Sequence, residues 1–600
     1  SIAMYQGLKE PSALASVYTY LALSHLDSDR IEDSLAAFQQ ALEQNGAAAK
    51  PDLEQKAQVL NNIGQLQWKM GKYEAALESC RESLRLRETL GVAEKIARTK
   101  KTLARIYLAQ KNYTEALQLA ESVAQMTRDK SPDEFWSARN IAGQAYLQQG
   151  QAAAAQRYFE ESIQTIEQLR TQASSSPEIK QRFFENKVTP YLAMVDLYVA
   201  QAKYPEAMAY AERTKARVLS EIIASRYEPA EGTLAPLNTA QPFTLAEAET
   251  LLPPESKTAL LEFVLADEKV YLFVVDRPAT RAAPELCVFP LNINKAQLTA
   301  LVTRFRRELA ERKLGYTATA LTLHEKLLAP AQSILADKNK LVLVPDGVLW
   351  ELPFQALMPA KGRFLLEDYA IAYAPSFTAL RTISKRTAAP SRPQSLLAFG
   401  NPALSTQITA AMNLPSLPQA EAQVRALGTL FGTAKSKIYL GAEATEQRFK
   451  AEASQYAILN FATHGIFDDQ NPLASRLLLA ASGNEDGALE AHEIMQMHLQ
   501  ADLVVLSACE TARGRIGPGE GVIGLTWAFL NAGAPTVVVS QWQVREDSTA
   551  ILMQNFHQQL KTVNTDRAAA LRQAAIGVMK TANYRHPFYW AGFVLIGKGF

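Results

Sequence analysis

The chain has 600 residues, with 62 Lys and Arg side chains against 61 Asp and Glu, and apolar residues at 48% of positions. A chain of this length exceeds the size at which one hydrophobic core stops growing, so at least two folding units are expected. The near-neutral charge does not suit a surface that neutralises a phosphate backbone, and direct nucleic-acid binding is therefore not expected.

The cysteines and the apolar runs restrict the class of protein further. Cys80, Cys287 and Cys509 are far apart and odd in number, which predicts neither a disulfide framework nor a four-cysteine zinc site and indicates a reducing compartment. Apolar runs fall short of the roughly 20 residues that span a bilayer, and residues 1–11 lack the pattern of a secretory signal. We expect a cytoplasmic protein without a membrane partner. Because the sequence begins at Ser1 and not at a methionine, an upstream segment stays an open alternative.

Five segments of the first half follow one helical template. Each begins with an aromatic or aliphatic residue and carries a small residue three positions later, where two helices can approach closely. The first positions are Ile31, Tyr73, Tyr113, Ala152 and Tyr204, and the small residues are Ser34, Ala76, Ala116, Ala155 and Ala207. The spacing of roughly 40 residues exceeds the 34 of a standard tetratricopeptide repeat, which indicates longer helices. We therefore predict an all-α tetratricopeptide-type solenoid over residues 1–228.

Stacked helix pairs of this kind form a concave surface that suits a peptide or a partner protein. The sequence therefore predicts a protein partner on the repeat array. The alternative is that the array is only a rigid spacer or an inhibitory lid. Cys80 lies on an apolar helix face and is predicted to be a core residue.

The periodicity changes in the second half. Residues 229–257 begin with a stretch rich in Pro, Ala, Glu and Thr, which favours a linker followed by a helix leading into the next domain. Residues 259–277 form two apolar runs around an Asp-Glu-Lys turn, which predicts a hairpin. Further short apolar strands alternate with helices. This pattern predicts an α/β domain over residues 258–600 with a mostly parallel sheet covered by helices.

Two of the predicted strands end in residues that can carry chemistry. The run AILNFATHG leads into His464 and Gly465, and LVVLSACE leads into Cys509. Ligands of such sheets bind beyond the carboxyl ends of the strands, and these two ends meet if the strands are neighbours joined by a helix near residues 489–498. Alone, a strand-end cysteine is more often a buried apolar residue than a nucleophile. The pairing with a histidine is what favours chemistry.

An imidazole beside a thiol supplies a reactive thiolate near neutral pH, because a free cysteine has a pKa of about 8.5 and only the thiolate is a strong nucleophile. The same imidazole can then protonate a leaving amine. Gly465 has no side chain in the way, so its N–H and that of Cys509 can form an oxyanion hole. This chemistry requires neither a metal nor another cofactor.

Five motifs occur in order in the second half. They are LVLVPDGVLWELPFQAL, LPSLPQAEAQVRAL, FATHGIFDDQNPLASRLLLA, LVVLSACETARGRIGPGEGVIGLTWAFLNAGAPTVVVSQWQV and HPFYWAGFVLIGKG. With these motifs, residues 258–600 resemble the CHAT family, caspase-like domains that occur joined to tetratricopeptide repeats, within the wider group of caspases, gingipains and separase. The resemblance implies a caspase-type fold and hydrolysis of peptide bonds, with His464 as general acid/base and Cys509 as nucleophile.

The resemblance also implies substrate contacts at the strand VVVSQWQV, which borders the pocket for the side chain before the scissile bond. Ser540, Gln541 and Trp542 are the candidates, and a core position is the alternative for Trp542. Arg545 stands where members of the family often have an acid, which leaves cleavage after Lys or Arg an open question.

Several acids and histidines near these motifs have competing interpretations. Glu546 or Asp547 is left to supply the pocket acid, and Glu510 is a further candidate beside Cys509. Glu520 in GPGEG is first of all a helix N-terminal acid, which the helix dipole favours. The histidines on predicted helices are expected at the surface or at an edge, and their spacing does not predict a zinc site; they are His324, His492, His498 and His557.

The sequence therefore predicts a cysteine endopeptidase that hydrolyses a protein or peptide substrate and is regulated by a partner on the repeat array. The rival is a non-catalytic interaction scaffold with a pseudo-peptidase domain. Both His464 and Cys509 are present, which favours the enzyme, because a pseudo-enzyme usually loses one of them. A co-chaperone-like adaptor would leave both residues unexplained. Substrate, activating partner, pathway and oligomeric state stay open.

Overall fold

A computed structural model describes residues 10–28, 30–172, 183–184, 186–227, 241–266, 268–386, 394–405, 409, 412–468, 471–507, 516–517, 521–522, 524–562 and 566–600. The contacts divide the chain into two compact units. The first comprises Ser1–Phe183 and Thr189–Leu197, and the second comprises Phe184–Val188 and Tyr198–Phe600.

The first unit consists of antiparallel helix pairs. Its helices are α1 (Pro11–Asp27), α2 (Ile31–Ala47), α3 (Leu53–Lys69), α4 (Tyr73–Leu90), α5 (Ala93–Ala109), α6 (Tyr113–Thr127), α7 (Pro132–Gln148), α8 (Ala152–Gln172) and α9 (Thr189–Ala200), the last of which ends in the second unit. The repeat template marks the start of the second helix in each pair, since α2, α4, α6 and α8 begin at its first position. Its small residues are fully buried. The predicted solenoid is confirmed, and so is the core position of Cys80, whose thiol pKa burial raises to about 12.

Four of the turns inside helix pairs repeat a backbone feature that the template did not include. The residue two positions before the second helix has a positive φ at Gly71, Lys111, Gly150 and Ala202. Glycine adopts this left-handed conformation without strain, whereas a side chain makes it unfavourable. Two of the four turns therefore carry strain that the other two avoid.

The second unit contains the sheet. Its helices are α10 (Tyr204–Glu212), α11 (Arg217–Tyr227), α12 (Ala248–Leu251), α13 (Lys295–Ala310), α14 (Tyr316–Leu327), α15 (Gln332–Leu335), α16 (Leu365–Asp368), α17 (Phe377–Arg386), α18 (Pro418–Phe431), α19 (Glu446–Glu452), α20 (Ala491–Gln496), α21 (Leu525–Ala532), α22 (Glu546–Leu560) and α23 (Arg567–Met579). Its strands are β1 (Thr258–Leu265), β2 (Val270–Asp276), β3 (Glu285–Leu291), β4 (Lys340–Val344), β5 (Ala370–Tyr373), β6 (Leu396–Pro402), β7 (Ser436–Gly441), β8 (Ile458–Ala462), β9 (Gly465–Ile466), β10 (Arg476–Leu478), β11 (Ala488–Glu490), β12 (Leu503–Leu506), β13 (Ile516–Gly517), β14 (Gly521–Val522), β15 (Thr536–Ser540) and β16 (Phe593–Gly597).

Among the described residues, eleven strands form one sheet in the order β3-β2-β1-β4-β5-β16-β15-β12-β8-β6-β7. Neighbours are parallel except at β1–β2, β2–β3 and β15–β16, so the predicted mostly parallel sheet and the β1–β2 hairpin are confirmed. Strands β1, β4, β8, β12 and β15 are buried almost throughout, as expected for a sheet covered by helices on both faces. The last strand, β16, lies between β5 and β15 in the middle of the sheet.

A buried ion pair connects the link between α10 and α11 to the sheet. Lys215 Nζ lies 3.6 Å from Glu262 Oε1 on β1 and donates to the carbonyl of Phe263. Lys215 is 2% exposed and Glu262 is fully buried. Burial, and secondly the charge of Glu212, raise the pKa of the Glu262 carboxyl well above its usual range. The pair fixes these helices to the sheet within the second unit.

Candidate active site

Three neighbouring parallel strands end at one edge of the sheet. Strand β8 pairs with β6 so that Ala462 lies opposite Gly400, and it pairs with β12 so that Phe461 lies opposite Leu506. The residues that follow these strands therefore share the edge where ligands of such sheets bind. On β8 the next residues are Thr463 and His464.

His464 is held on both its backbone and its ring. Its carbonyl accepts the N–H of Leu478 at 2.9 Å, and the hydroxyl of the preceding Thr463 donates to the Leu478 carbonyl. The ring Nε2 lies 2.8 Å from the carbonyl oxygen of Pro415. Because a carbonyl oxygen only accepts, Nε2 must carry the proton in this contact. In the neutral ring, Nδ1 is then the basic nitrogen.

Gly465 lies in a small antiparallel sheet formed by β9, β10 and β11. It is opposite Leu477, and the hydrogen bond from Leu478 N to His464 O makes Gly465 and Leu477 a non-hydrogen-bonded pair. The N–H of Gly465 is therefore outside the β9–β10 ladder. The sequence predicted two backbone donors for an oxyanion, and this N–H, next to His464, is the first of them; the other is that of Cys509.

The predicted nucleophile lies beyond the described part of the chain. Cys509, Glu510 and Glu520 all fall outside the described residues. The last residue described before them is Ser507, which donates its N–H to Phe461 O at 2.7 Å. Its hydroxyl accepts the amide of Gln423 at 3.3 Å. The roles of Cys509 and Glu510 stay predictions.

The three residues predicted to contact substrate from β15 and the loop after it are buried. Ser540, Gln541 and Trp542 are 0%, 3% and 7% exposed. Gln541 donates its side-chain amide to Trp350 O at 3.0 Å, and the indole N–H of Trp542 donates to Phe588 O at 3.2 Å. These polar groups are thus used inside the fold. Burial agrees with the alternative given for Trp542, and substrate contact stays a prediction for all three.

The acids after β15 are engaged within the chain. Arg545 binds Asp547 through two hydrogen bonds, of 3.1 and 2.7 Å, and holds the pKa of that carboxyl below its usual range. Glu546 accepts the N–H of Gln419, in the first turn of α18, at 3.2 Å. Asp547, which the sequence offered as an acid for a Lys or Arg pocket, is therefore neutralised by its own neighbour.

Two of the histidines expected at the surface or an edge are in the core. His557 is fully buried on α22 and His324 is 7% exposed on α14. Burial lowers the pKa of His557 to about 3. The expectation was wrong for these two because both lie on buried helix faces, and the ring of His557 contacts Asn460 on β8.

In the described part of the chain, one carboxylate cluster is compact enough for a metal, formed by Glu446, Glu485 and Glu493. Lys450 Nζ lies 2.7, 2.6 and 2.8 Å from their oxygens. The ammonium group thus takes the central position and neutralises part of the negative charge. The arrangement is that of an ion-pair network and not of an open metal site.

Sequence reasoning missed three residues of this edge, which are Asn401, Pro415 and Gln423. Pro415 and Gln423 lie in the motif LPSLPQAEAQVRAL, which was recognised without a role for either residue. Asn401 follows the strand SLLAFG, and an asparagine before a proline at a strand end was a usable turn signal.

Family models match both halves of the chain. A CHAT domain model matches residues 317–598, and a tetratricopeptide repeat model matches residues 13–89 and 95–168. The chain has a TPR–CHAT architecture. Its CHAT domain is caspase-like, and its repeats belong to a class that binds other proteins.

Two curated relatives match part of this chain. Tetratricopeptide repeat protein 28 of Homo sapiens is 27% identical over an alignment of 323 residues, which covers 46% of this chain and 13% of that protein. The Mus musculus protein of the same name gives the same identity and coverage. The TPR–CHAT chain therefore spans only about an eighth of the length of these relatives.

Solved structures give weaker likenesses. The separase–securin complex of Saccharomyces cerevisiae matches 93% of this chain and 54% of its own, at 9% identity and a TM-score of 0.39. BtubC from P. vanneervenii matches 38% of this chain and 89% of its own, at 18% identity and a TM-score of 0.30. Values this low support no functional inference. Among the described helices of the TPR–CHAT chain, none combines the length and apolarity of a membrane-spanning segment.

Proposed function

We propose that the CHAT domain is a cysteine endopeptidase in which Cys509 is the nucleophile and His464 the general acid/base. The observation that supports it most is the contact of His464 Nε2 with the Pro415 carbonyl at the carboxyl end of β8. This contact leaves Nδ1 free to accept a proton. Strand β12, which leads toward Cys509 in sequence, is the parallel neighbour of β8.

The proposed reaction follows from these two groups. Nδ1 of His464 takes the thiol proton, and the thiolate attacks the carbonyl carbon of the scissile peptide. The N–H groups of Gly465 and Cys509 would stabilise the oxyanion. The C–N bond then breaks as the imidazolium gives its proton to the leaving amine. Water, deprotonated by the imidazole, hydrolyses the thioester and restores the thiol.

The repeat array is the proposed site of control. A protein partner on its concave surface would shift the CHAT domain between idle and competent arrangements by binding one of them more tightly. Residues 1–228 form the array in this proposal, 229–257 the linker and the helix leading into the sheet, and 258–600 the peptidase domain. The engaged state of Asp547 and Gln541 supports the need for such a change, because both must exchange partners before they can bind a substrate.

The second candidate is an interaction scaffold with a pseudo-peptidase domain. The observation that favours it is the burial of Ser540, Gln541 and Trp542, together with the hydrogen bonds that the Gln541 amide and the Trp542 indole donate inside the fold. A scaffold needs no open pocket beside β15. It does not require the His464 ring to be held by Pro415.

Alkylation by iodoacetamide at neutral pH distinguishes the two. The rate at each cysteine is read by mass spectrometry in the wild type, in His464→Ala and in His492→Ala, a matched control with an exposed ring. Cys80 is the internal reference for an inert thiol. The peptidase proposal expects Cys509 to react fastest and to lose about 100-fold in rate without His464 but not without His492. Equal rates at Cys509 in all three proteins favour the scaffold.

A further inference from the structure

Asn401 interrupts the ladder at the end of β6. The pairing of β6 with β7 shifts register between Gly400 and Pro402, so Asn401 forms a β-bulge. Its φ is +44°, in the left-handed region. Asparagine is among the few residues with a side chain that adopt this conformation, which most side chains make unfavourable. Bulges next to active sites commonly redirect a side chain, and the contacts of Asn401 show where this one is directed.

The Asn401 side chain binds the chain segment that follows Pro415. Its Oδ1 accepts the N–H of Leu417 at 2.8 Å and the hydroxyl of Ser416 at 3.2 Å, and its Nδ2 donates to Glu421 at 3.3 Å. A backbone N–H must face the amide oxygen and a carboxylate must face the amide nitrogen. The partners therefore fix the orientation of the amide.

The segment held by Asn401 has little freedom of its own. Pro415 and Pro418 flank Ser416 and Leu417, and the proline after Leu417 disfavours a helical backbone at that residue, which has φ −114° and ψ +68°. Two hydrogen bonds from one side chain to the two central residues are enough to fix such a short segment. The Pro415 carbonyl at its beginning is thereby aimed at His464.

We propose that Asn401 is a positioning residue for the His464 imidazole. Its bulged backbone and its amide hold residues 416–417, these hold the Pro415 carbonyl, and that carbonyl holds the proton on Nε2, which leaves Nδ1 as the basic nitrogen. The catalytic consequence rests on the peptidase proposed above, whereas the positioning itself does not. Asn401 does not touch the reacting atoms in this arrangement.

Two substitutions separate the side chain from the backbone. Asn401→Gly keeps the left-handed conformation and removes the amide. Asn401→Asp combined with Glu421→Gln keeps an oxygen that accepts from Leu417 and Ser416. It also restores the contact with position 421 in the opposite direction, because the amide there now donates and the carboxylate at position 401 accepts. The matched control is Asn413→Gly, since Asn413 is also left-handed, with φ +49°, and no side-chain hydrogen bond joins it to another described residue.

The first measurement is the Nε2–H proton of His464, observed by NMR in the full chain labelled with ¹⁵N-histidine and assigned by its loss in His464→Ala. Whether the ring is neutral or charged, this proton is held by Pro415. We expect it to exchange slowly with solvent in the wild type, in Asn413→Gly and in the double variant, and to broaden or disappear in Asn401→Gly. An unchanged signal in Asn401→Gly overturns the proposal.

The second measurement is the rate of Cys509 alkylation by iodoacetamide. Loss of a well-oriented base predicts about a tenfold slower reaction in Asn401→Gly, recovery to within about threefold in the double variant, and no change in Asn413→Gly. A wild type in which Cys509 is as slow as in His464→Ala would refute the peptidase and leave the NMR result to decide the positioning role. Suppose that Cys509 alkylation is slow in Asn401→Gly and is not restored in the double variant, while the Nε2–H signal of Asn401→Gly is intact. This result would indicate a merely structural role and contradict the proposal.

Discussion

His557 Nε2 lies 3.3 Å from Asn460 Oδ1, and both side chains are fully buried between α22 and strand β8. In this contact the imidazole donates and the amide oxygen accepts. The other ring nitrogen, Nδ1, has no hydrogen-bond partner among the described residues. A proton added to Nδ1 would therefore be buried without compensation.

This burial predicts a loss of stability at acidic pH. The folded-state pKa of His557 is about 3, whereas an unfolded histidine has a pKa near 6.5, so only the unfolded state binds the proton between these values. Well below pH 6.5, this group should lower the free energy of unfolding of the second unit by about 1.4 kcal/mol for each unit by which the pH falls. His557→Gln, which can still donate to Asn460, should lack that slope. Urea unfolding at pH 7.5, 6.5 and 5.5 tests this, and parallel curves for the two proteins would contradict it.

The left-handed turns of the array predict stabilising substitutions. Lys111→Gly and Ala202→Gly should each raise the free energy of unfolding by about 0.5–1 kcal/mol, because the left-handed strain exceeds the entropy that glycine adds to the unfolded chain. Gly71→Ala and Gly150→Ala should lower it by about 1 kcal/mol. A methyl group at either glycine would meet no atom within 4 Å, so only the backbone contributes. Thermal unfolding measures all four, and the same sign for both pairs would rule out the explanation.

The Lys215–Glu262 pair predicts strong coupling between two buried polar side chains. Lys215→Met should destabilise the second unit by about 3–5 kcal/mol, since it leaves a carboxyl group in the core without its cation. Adding Glu262→Leu should recover at least half of that loss. A double-mutant cycle from chemical unfolding gives the coupling energy. Additive effects would show that the two side chains do not depend on each other.

The Arg545–Asp547 pair predicts a change in specificity. In Arg545→Ala the Asp547 carboxylate loses its intramolecular cation, and the proposed peptidase should then favour Lys or Arg before the scissile bond by about tenfold more than the wild type does. Competitive cleavage of a peptide library measures the ratio. Arg448→Ala, which removes a similar ion pair with Glu443 elsewhere on the surface, is the control. If neither variant alters the ratio, Asp547 does not border that pocket.

Local patterns in the sequence predicted the repeats and the strand-end histidine. The template positions Tyr73 and Ala76 gave a helix start and a buried contact because both depend on residues a few positions apart. The apolar run that ends in His464 predicted both a strand and the position of its carboxyl end, because this pattern also depends only on neighbouring residues. These features follow from periodicity, which the sequence carries directly.

Non-local geometry could not be predicted in the same way. The Pro415 carbonyl reaches His464 across 49 positions of the chain, and the bulge at Asn401 that supports it follows from pairing with two different strands. His557 was a different kind of error. Met553 and Leu560, four positions before it and three after it, are both buried, so the helical period already placed His557 on the buried face.

The position of β16 sets an order on folding. Residues 593–597 are the last strand along the described chain, yet they form the seam between the β1–β5 half of the sheet and the half that contains β6, β8, β12 and β15. During synthesis both halves emerge first, each with an unpaired inner edge of the kind that recruits strands from other chains. The sheet becomes continuous only when this segment has left the ribosome. A chain cut before residue 593 would keep every residue of the proposed active site and still lack the strand that joins its two halves.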